Sequence, residues 1–208
     1  MGAPALPPAV NAPQQETTQR AGRLVTYVAG EGRPLVLIHS INAAASAFEM
    51  RPIFERMRDR RTVMAVDPPG FGQSDRSERP YDVRLYVDAV HDVLDLADAR
   101  VPGVPVDLVA LSLSGEFAAR ATVERPERVR SLTLINPTGF SRGAENLREP
   151  GSTREIPGFL PVLSVGPIGK PLYRLLTRKG TIRYFLQRTY GSKAVRSEEH
   201  TSELQSLL

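Results

Sequence analysis

The stretch Val106-Asp-Leu-Val-Ala-Leu-Ser-Leu-Ser-Gly-Glu116 runs from an apolar segment through small residues into a segment of helical composition. A turn that lifts one side chain off the end of a parallel sheet needs small residues two positions before and two positions after it. Ala110 and Ser114 meet that requirement around Ser112. The register therefore predicts Ser112 as a nucleophile on a strained turn with φ above zero. The alternative is that Ser112 only caps the following helix.

Apolar strands alternate with helical segments on both sides of this stretch. The segment 35–38 is apolar throughout, as expected when helices cover both faces of a sheet. Helical sequence begins near Pro52, at Asp82 and near Leu113. The predicted strands span 22–28, 34–39, 62–67, 106–111 and 131–135. This alternation predicts an α/β fold with a mostly parallel, twisted sheet and helices on both faces.

Composition limits the classes of protein to which the chain can belong. Its 208 residues, 41% hydrophobic and 24% charged, suit one domain with a sizeable core. Cysteine is absent, which excludes disulfides and thiolate catalysis, and no apolar segment approaches bilayer length. The net charge of +4 reflects a basic C-terminal third. We interpret these basic residues as a solvated face rather than as a binding surface for an anionic substrate or a membrane. We therefore expect a cytoplasmic protein with a small-molecule substrate, no nucleic-acid partner and no membrane span.

Three motifs carry a resemblance to a known family. They are Leu35-Val-Leu-Ile-His-Ser40, Val66-Asp-Pro-Pro-Gly-Phe-Gly-Gln-Ser-Asp75 and Ala110-Leu-Ser-Leu-Ser-Gly115, in that order. Together they resemble an α/β-hydrolase of the lipase and esterase type over residues 22–140, and the third resembles the nucleophile elbow G-x-S-x-G. The chain departs from the family pattern at three positions: Ala110 and Ser114 replace the flanking glycines, and Ser40 stands where glycine usually follows the histidine.

The resemblance implies a site at the carboxyl edge of the sheet. It implies that the strands beginning at Pro34 and Val106 lie side by side, so that the loops after them meet. Ser112 would be the catalytic nucleophile, and the backbone N–H groups of Leu113 and Ile41 would form the oxyanion hole. The resemblance implies no cofactor and no metal.

A serine nucleophile needs a base, and the base needs a carboxylate to hold it. In the family, His39 matches a structural histidine, while His91 falls within the helix from Asp82 and is expected to be at the surface or half buried. Asp67 and Asp75 frame a glycine-rich turn and are predicted to shape it. By the resemblance, the catalytic acid and histidine follow the serine in the chain, after a cap. None of these four residues is therefore predicted to complete a triad.

Four segments are predicted in the chain. Its Pro- and Ala-rich start indicates a disordered leader over 1–20. The resemblance implies the hydrolase core over 21–140 and a partial helical cap over 141–195, and a non-native tail is predicted over 196–208. The stretch Arg196-Ser-Glu-Glu-His-Thr-Ser-Glu-Leu-Gln-Ser206 resembles the translation of a common sequencing adapter. We therefore expect the native sequence to end near Val195, which makes the chain a C-terminally truncated fragment and removes His200 as a candidate base.

These observations predict a serine-dependent hydrolase that acts on an ester, a thioester or a related carbonyl substrate through an acyl-enzyme, the chain itself being an inactive fragment. A C–C bond hydrolase or a cofactor-free haloperoxidase of the same fold would use the same serine. An epoxide hydrolase or a haloalkane dehalogenase would instead require aspartate at position 112. A member of the fold that only binds a ligand or a partner is the alternative from another functional class.

Overall fold

The structure is a computed structural model, and it describes residues 7–42 and 45–138 together with Pro171, Leu175, Arg178, Gly180 and Thr181. The chain divides into two compact units, Met1–Thr153 and Arg154–Leu208. Residues 7–42 and 45–138 belong to the first unit.

The predicted cap over 141–195 lies outside the described residues except at five positions. Of these, Pro171, Leu175, Gly180 and Thr181 have helical backbone. The Thr181 hydroxyl donates a hydrogen bond of 2.8 Å to the Leu175 carbonyl. The predicted tail over 196–208, including His200, lies entirely outside the described residues.

A six-stranded sheet forms the centre of the first unit. In chain order its strands are β1 (Gln14–Gln19), β2 (Gly22–Ala29), β3 (Pro34–Ile38), β4 (Thr62–Asp67), β5 (Val106–Leu111) and β6 (Val129–Ile135). Across the sheet the order is β1-β2-β4-β3-β5-β6. The last four strands in that order are parallel, whereas β1 and β2 are antiparallel to their neighbours. The predicted mostly parallel α/β sheet is therefore confirmed, and β4 and β5 have the predicted bounds.

The N-terminal segment corrects one prediction, because part of the expected disordered leader over 1–20 is a strand. Strand β1 pairs with β2 along its whole length, with Gln14 opposite Tyr27. Ala9 and Val10 just before it are buried, and the Ala9 N–H donates to the Tyr27 hydroxyl at 3.1 Å. A polar edge strand is stabilised mainly by its backbone ladder and shows no apolar alternation. The sequence therefore contained no signal for it.

Helices lie on both faces of the sheet, as predicted. Helix α1 (Arg51–Met57) buries Phe54 against one face, in a cluster with Leu37. Helices α2 (Val83–Arg100) and α3 (Ser114–Glu124) cover the other face, in a cluster that includes Val36. Successive side chains of a strand point to opposite faces, so the uniformly apolar β3 contributes to both clusters. Each fully buried aliphatic or aromatic side chain stabilises the fold by about 1.5–3 kcal/mol.

Helix α2 begins as the sequence predicted. The Asp82 carboxylate accepts a 2.8 Å hydrogen bond from the Leu85 N–H, which satisfies one of the free donors of the first turn. Within the part of the chain that the structure describes, no helix is long and apolar enough to cross a membrane.

Candidate active site

Three parallel strands bring their carboxyl ends together at one edge of the sheet. Ile38 at the end of β3 pairs with Ala110 of β5, and Leu111 of β5 pairs with Ile135 at the end of β6. The predicted pairing of the Pro34 strand with the Val106 strand is therefore confirmed. The loop after β3, the turn after β5 and the segment after β6 consequently all leave the sheet at this edge.

Ser112 occupies the sharp turn between β5 and α3. Its φ of 58° is in the left-handed region, which costs a non-glycine residue about 1–2 kcal/mol. The end of β6 holds this conformation, since the Ser112 N–H donates to the Ile135 carbonyl at 2.9 Å and the Thr138 N–H donates to the Ser112 carbonyl at 3.4 Å. The predicted positive φ at Ser112 is confirmed.

Ser112 is not the cap of α3. Leu113 occupies the N-cap position with helical dihedrals, φ −65° and ψ −27°, and no side chain makes a capping hydrogen bond there. The Ser112 side chain is half buried, and none of the described residues makes a hydrogen bond to its hydroxyl. The capping alternative of the sequence analysis therefore does not account for this serine.

The residues around Ser112 explain the departures from the glycine pattern. Ala110 is fully buried between β3 and β6. At Gly115 in α3, an added Cβ would lie 3.2 Å from Leu134 Cδ2 in β6. Ser114 is buried, and its hydroxyl donates to the His39 carbonyl at 2.5 Å. A serine is therefore accommodated at 114, whereas a side chain at 115 would crowd Leu134.

The two predicted oxyanion-hole residues lie at this same edge. Leu113 directly precedes α3, an 11-residue helix whose amino end carries the positive end of the helix dipole. Ile41 lies three residues after the end of β3, and the half-buried side chains of Ile41 and Leu113 pack against the same apolar cluster. Their role as donors to an oxyanion stays a prediction.

His39 is a buried part of its own loop. Its Nδ1 lies 2.6 Å from the Ser40 carbonyl oxygen, which can only accept, so Nδ1 carries the ring hydrogen. Its Nε2 lies 3.6 Å from Asp67 Oδ1 and makes no hydrogen bond. Burial lowers the pKa of His39, and Asp67 opposes this effect. The arrangement fits the structural role predicted for His39.

The two aspartates shape the turn between them, as predicted. Asp67 accepts hydrogen bonds from the Ala47 N–H at 2.8 Å and the Gln73 N–H at 3.1 Å. Gly72 has a φ of +46°, and an added Cβ there would lie 2.0 Å from the Asp67 carboxylate. The Asp75 carbonyl accepts from the Gly70 N–H at 2.8 Å, which closes the turn.

His91 corrects a second expectation, because its side chain is buried, with 4% of its surface exposed. The end of α3 packs over this part of α2, so His91 Nε2 lies 2.7 Å from Glu124 Oε2. Hydrogen bonds from Arg84 and His91 lower the pKa of Glu124 to about 2. The sequence placed His91 on a helix but could not show which helix would cover it.

Among residues 7–42 and 45–138, no histidine hydrogen-bonds the Ser112 hydroxyl. The two histidines in those ranges, His39 and His91, make the contacts given above, and neither hydrogen-bonds the Ser112 hydroxyl. The same described residues contain no cluster of three or more metal-ligating side chains. The acid and the histidine that the family resemblance implies after the cap would lie outside the described residues.

Glu49 was not among the predicted site residues, and it lies in the short 3₁₀ helix Ala47–Met50. Its carboxylate accepts hydrogen bonds from Ser40 and Asn42, on either side of Ile41. The one signal available in the sequence was Ser40 itself, because a serine hydroxyl in place of glycine at a buried loop needs a partner.

Comparison with known proteins agrees with this architecture. A family model described as alpha/beta hydrolase fold matches residues 33–161, more than half of the chain. A 2-hydroxymuconate semialdehyde hydrolase of a Pseudomonas species is 31% identical over 140 residues, which are 64% of this chain and 48% of that protein. A haloalkane dehalogenase of Agrobacterium fabrum is 32% identical over 111 residues, 52% of this chain and 34% of that one. The chain thus spans about half the length, or less, of these relatives.

One solved structure is similar in both sequence and fold. It is a serine hydrolase involved in carbazole degradation, 26% identical, with a TM-score of 0.51. The match covers 61% of this chain and 49% of that one.

Proposed function

This chain belongs to the α/β-hydrolase family, and we propose that it is a serine-dependent hydrolase that cleaves an ester, a thioester or a related carbonyl substrate through an acyl-enzyme. The observation that carries the proposal is the position of Ser112. It lies at the carboxyl edge of the sheet with a φ of 58°, and its hydroxyl is hydrogen-bonded to none of the described residues. Strain of this kind persists where the surrounding structure imposes it, and it concentrates at active sites.

In the proposed reaction, Ser112 Oγ attacks the carbonyl carbon while a general base accepts the hydroxyl proton. The carbonyl oxygen becomes an oxyanion, which the backbone N–H groups of Leu113 and Ile41 stabilise. The tetrahedral intermediate collapses, and the leaving group departs with the proton returned by the base. Water then attacks the acyl-enzyme by the same steps in reverse order and restores the serine. By the family resemblance, the base is a histidine after the cap, held by an acid.

A second candidate is hydrolysis of a C–C bond, which the relative named 2-hydroxymuconate semialdehyde hydrolase favours. Such a reaction would use the same serine, so the two candidates differ in the substrate rather than in the nucleophile. A haloalkane dehalogenase is also among the relatives. The serine at position 112 argues against that chemistry, because alkyl-halide displacement in this fold would require a carboxylate there.

The test is covalent labelling of the product of the complete gene with a fluorophosphonate. The reagent forms a bond from Ser112 Oγ to phosphorus and releases fluoride, while the base takes the hydroxyl proton. We expect labelling of Ser112, none in Ser112→Ala, and persistent labelling at Ser112 in the matched control Ser114→Ala. Labelling that survives Ser112→Ala or maps to Ser114 would contradict the proposal.

Substrate assays separate the two candidates once labelling succeeds. Turnover of p-nitrophenyl acetate without turnover of 2-hydroxymuconate semialdehyde would support ester hydrolysis. The reverse result would support C–C bond hydrolysis. A folded complete gene product that neither labels nor turns over either compound would point instead to a ligand-binding member of the fold.

A further inference from the structure

The loop after β3 differs from the usual family pattern at Ser40, and the structure shows how the serine side chain is accommodated. Ser40 is buried, with 6% of its surface exposed. Its backbone N–H donates to Glu49 Oε2 at 2.9 Å, and its hydroxyl donates to Glu49 Oε1 at 3.0 Å. The same carboxylate therefore binds both the main chain and the side chain of this residue.

Asn42 closes the network on the other side of Ile41. Its side-chain amide donates to Ser40 Oγ at 2.6 Å and to Glu49 Oε1 at 3.1 Å. Glu49 itself is held by the 3₁₀ helix Ala47–Met50, whose first N–H, that of Ala47, donates to Asp67 Oδ1 at 2.8 Å. The carboxylate is thus a fixed acceptor that binds the residues before and after Ile41.

The orientation of the Ile41 N–H follows from the peptide that contains it. The carbonyl of the Ser40–Ile41 peptide accepts the hydrogen bond from His39 Nδ1 at 2.6 Å. The described residues contain no cis peptide bond, and in a trans peptide the N–H points opposite to the C=O. The Ile41 N–H therefore points away from the His39 ring. His39 holds the carbonyl side of this peptide, and Glu49 holds the residues on either side of it.

We propose that Glu49 is a positioning residue that preorganises the Ile41 N–H as an oxyanion-hole donor. This inference rests on the proposed function of Ser112. Donors aimed at a developing oxyanion accelerate a reaction because they need no reorganisation when the charge forms. Without Glu49, Ser40 and Asn42 lose their shared acceptor, and the Ile41 peptide gains alternative orientations. The family glycine at position 40 has no hydroxyl to be held, so the chain combines Ser40 with a carboxylate that binds it.

The experiment compares Glu49→Gln and Glu49→Ala in the product of the complete gene, with p-nitrophenyl acetate as substrate. Active sites are titrated with the fluorophosphonate so that kcat refers to competent molecules only. Removing one oxyanion donor costs about 10²–10³-fold in kcat, and a donor that is only loosened should cost less. We expect Glu49→Ala to lower kcat on the order of 10- to 100-fold with KM almost unchanged, because the contact strengthens only in the transition state.

Two further variants test the assignment. Glu49→Gln keeps one carbonyl oxygen and should retain an intermediate kcat, which a role in packing alone would not predict. Glu55→Gln is the matched control, because Glu55 lies on α1, is 42% exposed and pairs with Arg58. It should leave kcat unchanged. Circular dichroism and thermal unfolding show that each variant is folded at the assay temperature.

The outcomes separate this inference from the proposed function. If Ser112→Ala is inactive but Glu49→Ala has the wild-type kcat per titrated site, the inference about Glu49 fails and the function of Ser112 stands. A higher KM with unchanged kcat in Glu49→Ala would also overturn the inference, since it would indicate substrate binding. If Ser112→Ala retains turnover, the proposed function fails whatever Glu49 does.

Discussion

Strand β5 carries a buried carboxylate at its amino end and the strained Ser112 turn at its carboxyl end. At the amino end, Asp107 accepts hydrogen bonds of 2.5 Å from Arg61, Arg130 and the Ser131 hydroxyl. At the carboxyl end, Ser112 has an unfavourable φ, and no described residue hydrogen-bonds its hydroxyl. The amino end of β5 is thus stabilised by ion pairs and hydrogen bonds to Asp107, whereas the carboxyl end is held in a strained conformation by its neighbours.

The electrostatics of Asp107 support this comparison. Burial alone would raise the pKa of Asp107, but hydrogen bonds from Arg130, Ser131 and Arg61 outweigh burial and lower the pKa to about 2. Asp107 also links β5 to its two neighbouring strands, because Arg130 lies in β6 and Arg61, just before β4, donates to the carbonyl of Pro34 in β3 at 3.2 Å. Local strain persists only where the surroundings over-determine it. At Ser112 these surroundings are Ile135 and Thr138, whereas the hydrogen bonds of Asp107 anchor the opposite end of β5.

The largest expected change in the free energy of unfolding follows from replacing Asp107. Asp107→Asn leaves Arg61, whose side chain is 18% exposed, without its counter-charge. Breaking a buried ion pair costs about 3–5 kcal/mol, and the half-exposed Arg130 reduces that loss. We expect the free energy of unfolding to fall by about 3 kcal/mol, measured by urea denaturation.

The rate of fluorophosphonate labelling at Ser112 in the folded Asp107→Asn protein should remain unchanged. Asp59→Asn, at an exposed position, is the matched control and should change stability by less than about 0.5 kcal/mol. A loss of labelling without a loss of stability would reverse the roles assigned to the two ends of β5.

A smaller change in the free energy of unfolding is expected when the pH is lowered. The pKa of Asp107 is lowered from 3.8 to about 2, so the folded state favours the ionised carboxylate. Its contribution is fully present above pH 4 and is lost as the pH falls towards 2, because the unfolded state then binds more protons than the folded state. We expect this residue to account for about 2 kcal/mol of the loss in unfolding free energy over that range. Urea denaturation between pH 6 and pH 2 measures it.

In Asp107→Asn, the decline between pH 4 and pH 2 should be shallower than in the wild type. The comparison is restricted to the same buffer and ionic strength, since exposed pairs are screened by salt. Equal slopes in the two proteins would show that Asp107 does not contribute to the acid sensitivity.

The smallest change in the free energy of unfolding is expected from substitutions at Asn136, at the carboxyl edge of the sheet. Asn136, just after β6, has a φ of 43° and is exposed. Asparagine tolerates this region better than alanine does, and glycine adopts it freely. Asn136→Ala should therefore lower the free energy of unfolding by about 1 kcal/mol, whereas Asn136→Gly should change it less. Thermal unfolding of the two variants measures the difference, and an equal loss in both would exclude backbone strain at this position.

Much of the fold was predictable because local sequence carries the relevant signals. The bounds of β4 and β5, the Asp82 cap of α2 and the sharp turn at Ser112 depend on residues within one or two turns of chain. Strand β1 and the burial of His91 were not predictable. A polar edge strand needs only a neighbour with free backbone groups, and a helical histidine becomes buried only when another helix covers it.

The candidate site divides in the same way. The register of the turn predicted Ser112, and the family resemblance predicted Leu113 and Ile41 beside it at the carboxyl edge of a parallel sheet. Their catalytic roles remain predictions. The network of Ser40, Asn42 and Glu49 was missed, because a hydrogen bond between loop side chains depends on distances that no periodicity encodes.

Apart from β1, the sequence by itself determined the strands of the sheet, the helices that cover it, the small residues at the turn and the order of the motifs, because hydrophobic periodicity and backbone sterics act over short stretches of chain. Only the tertiary structure decided which residues face one another across the carboxyl edge of the sheet. The Ser112 conformation is held by Ile135 and Thr138, and the Ser40 hydroxyl is held by Glu49. Such contacts join residues far apart in the chain or on separate turns of a loop. These contacts form only when packing of the helices on both faces of the sheet has set the strand register. For that reason the geometry of the site could not be derived from the sequence alone.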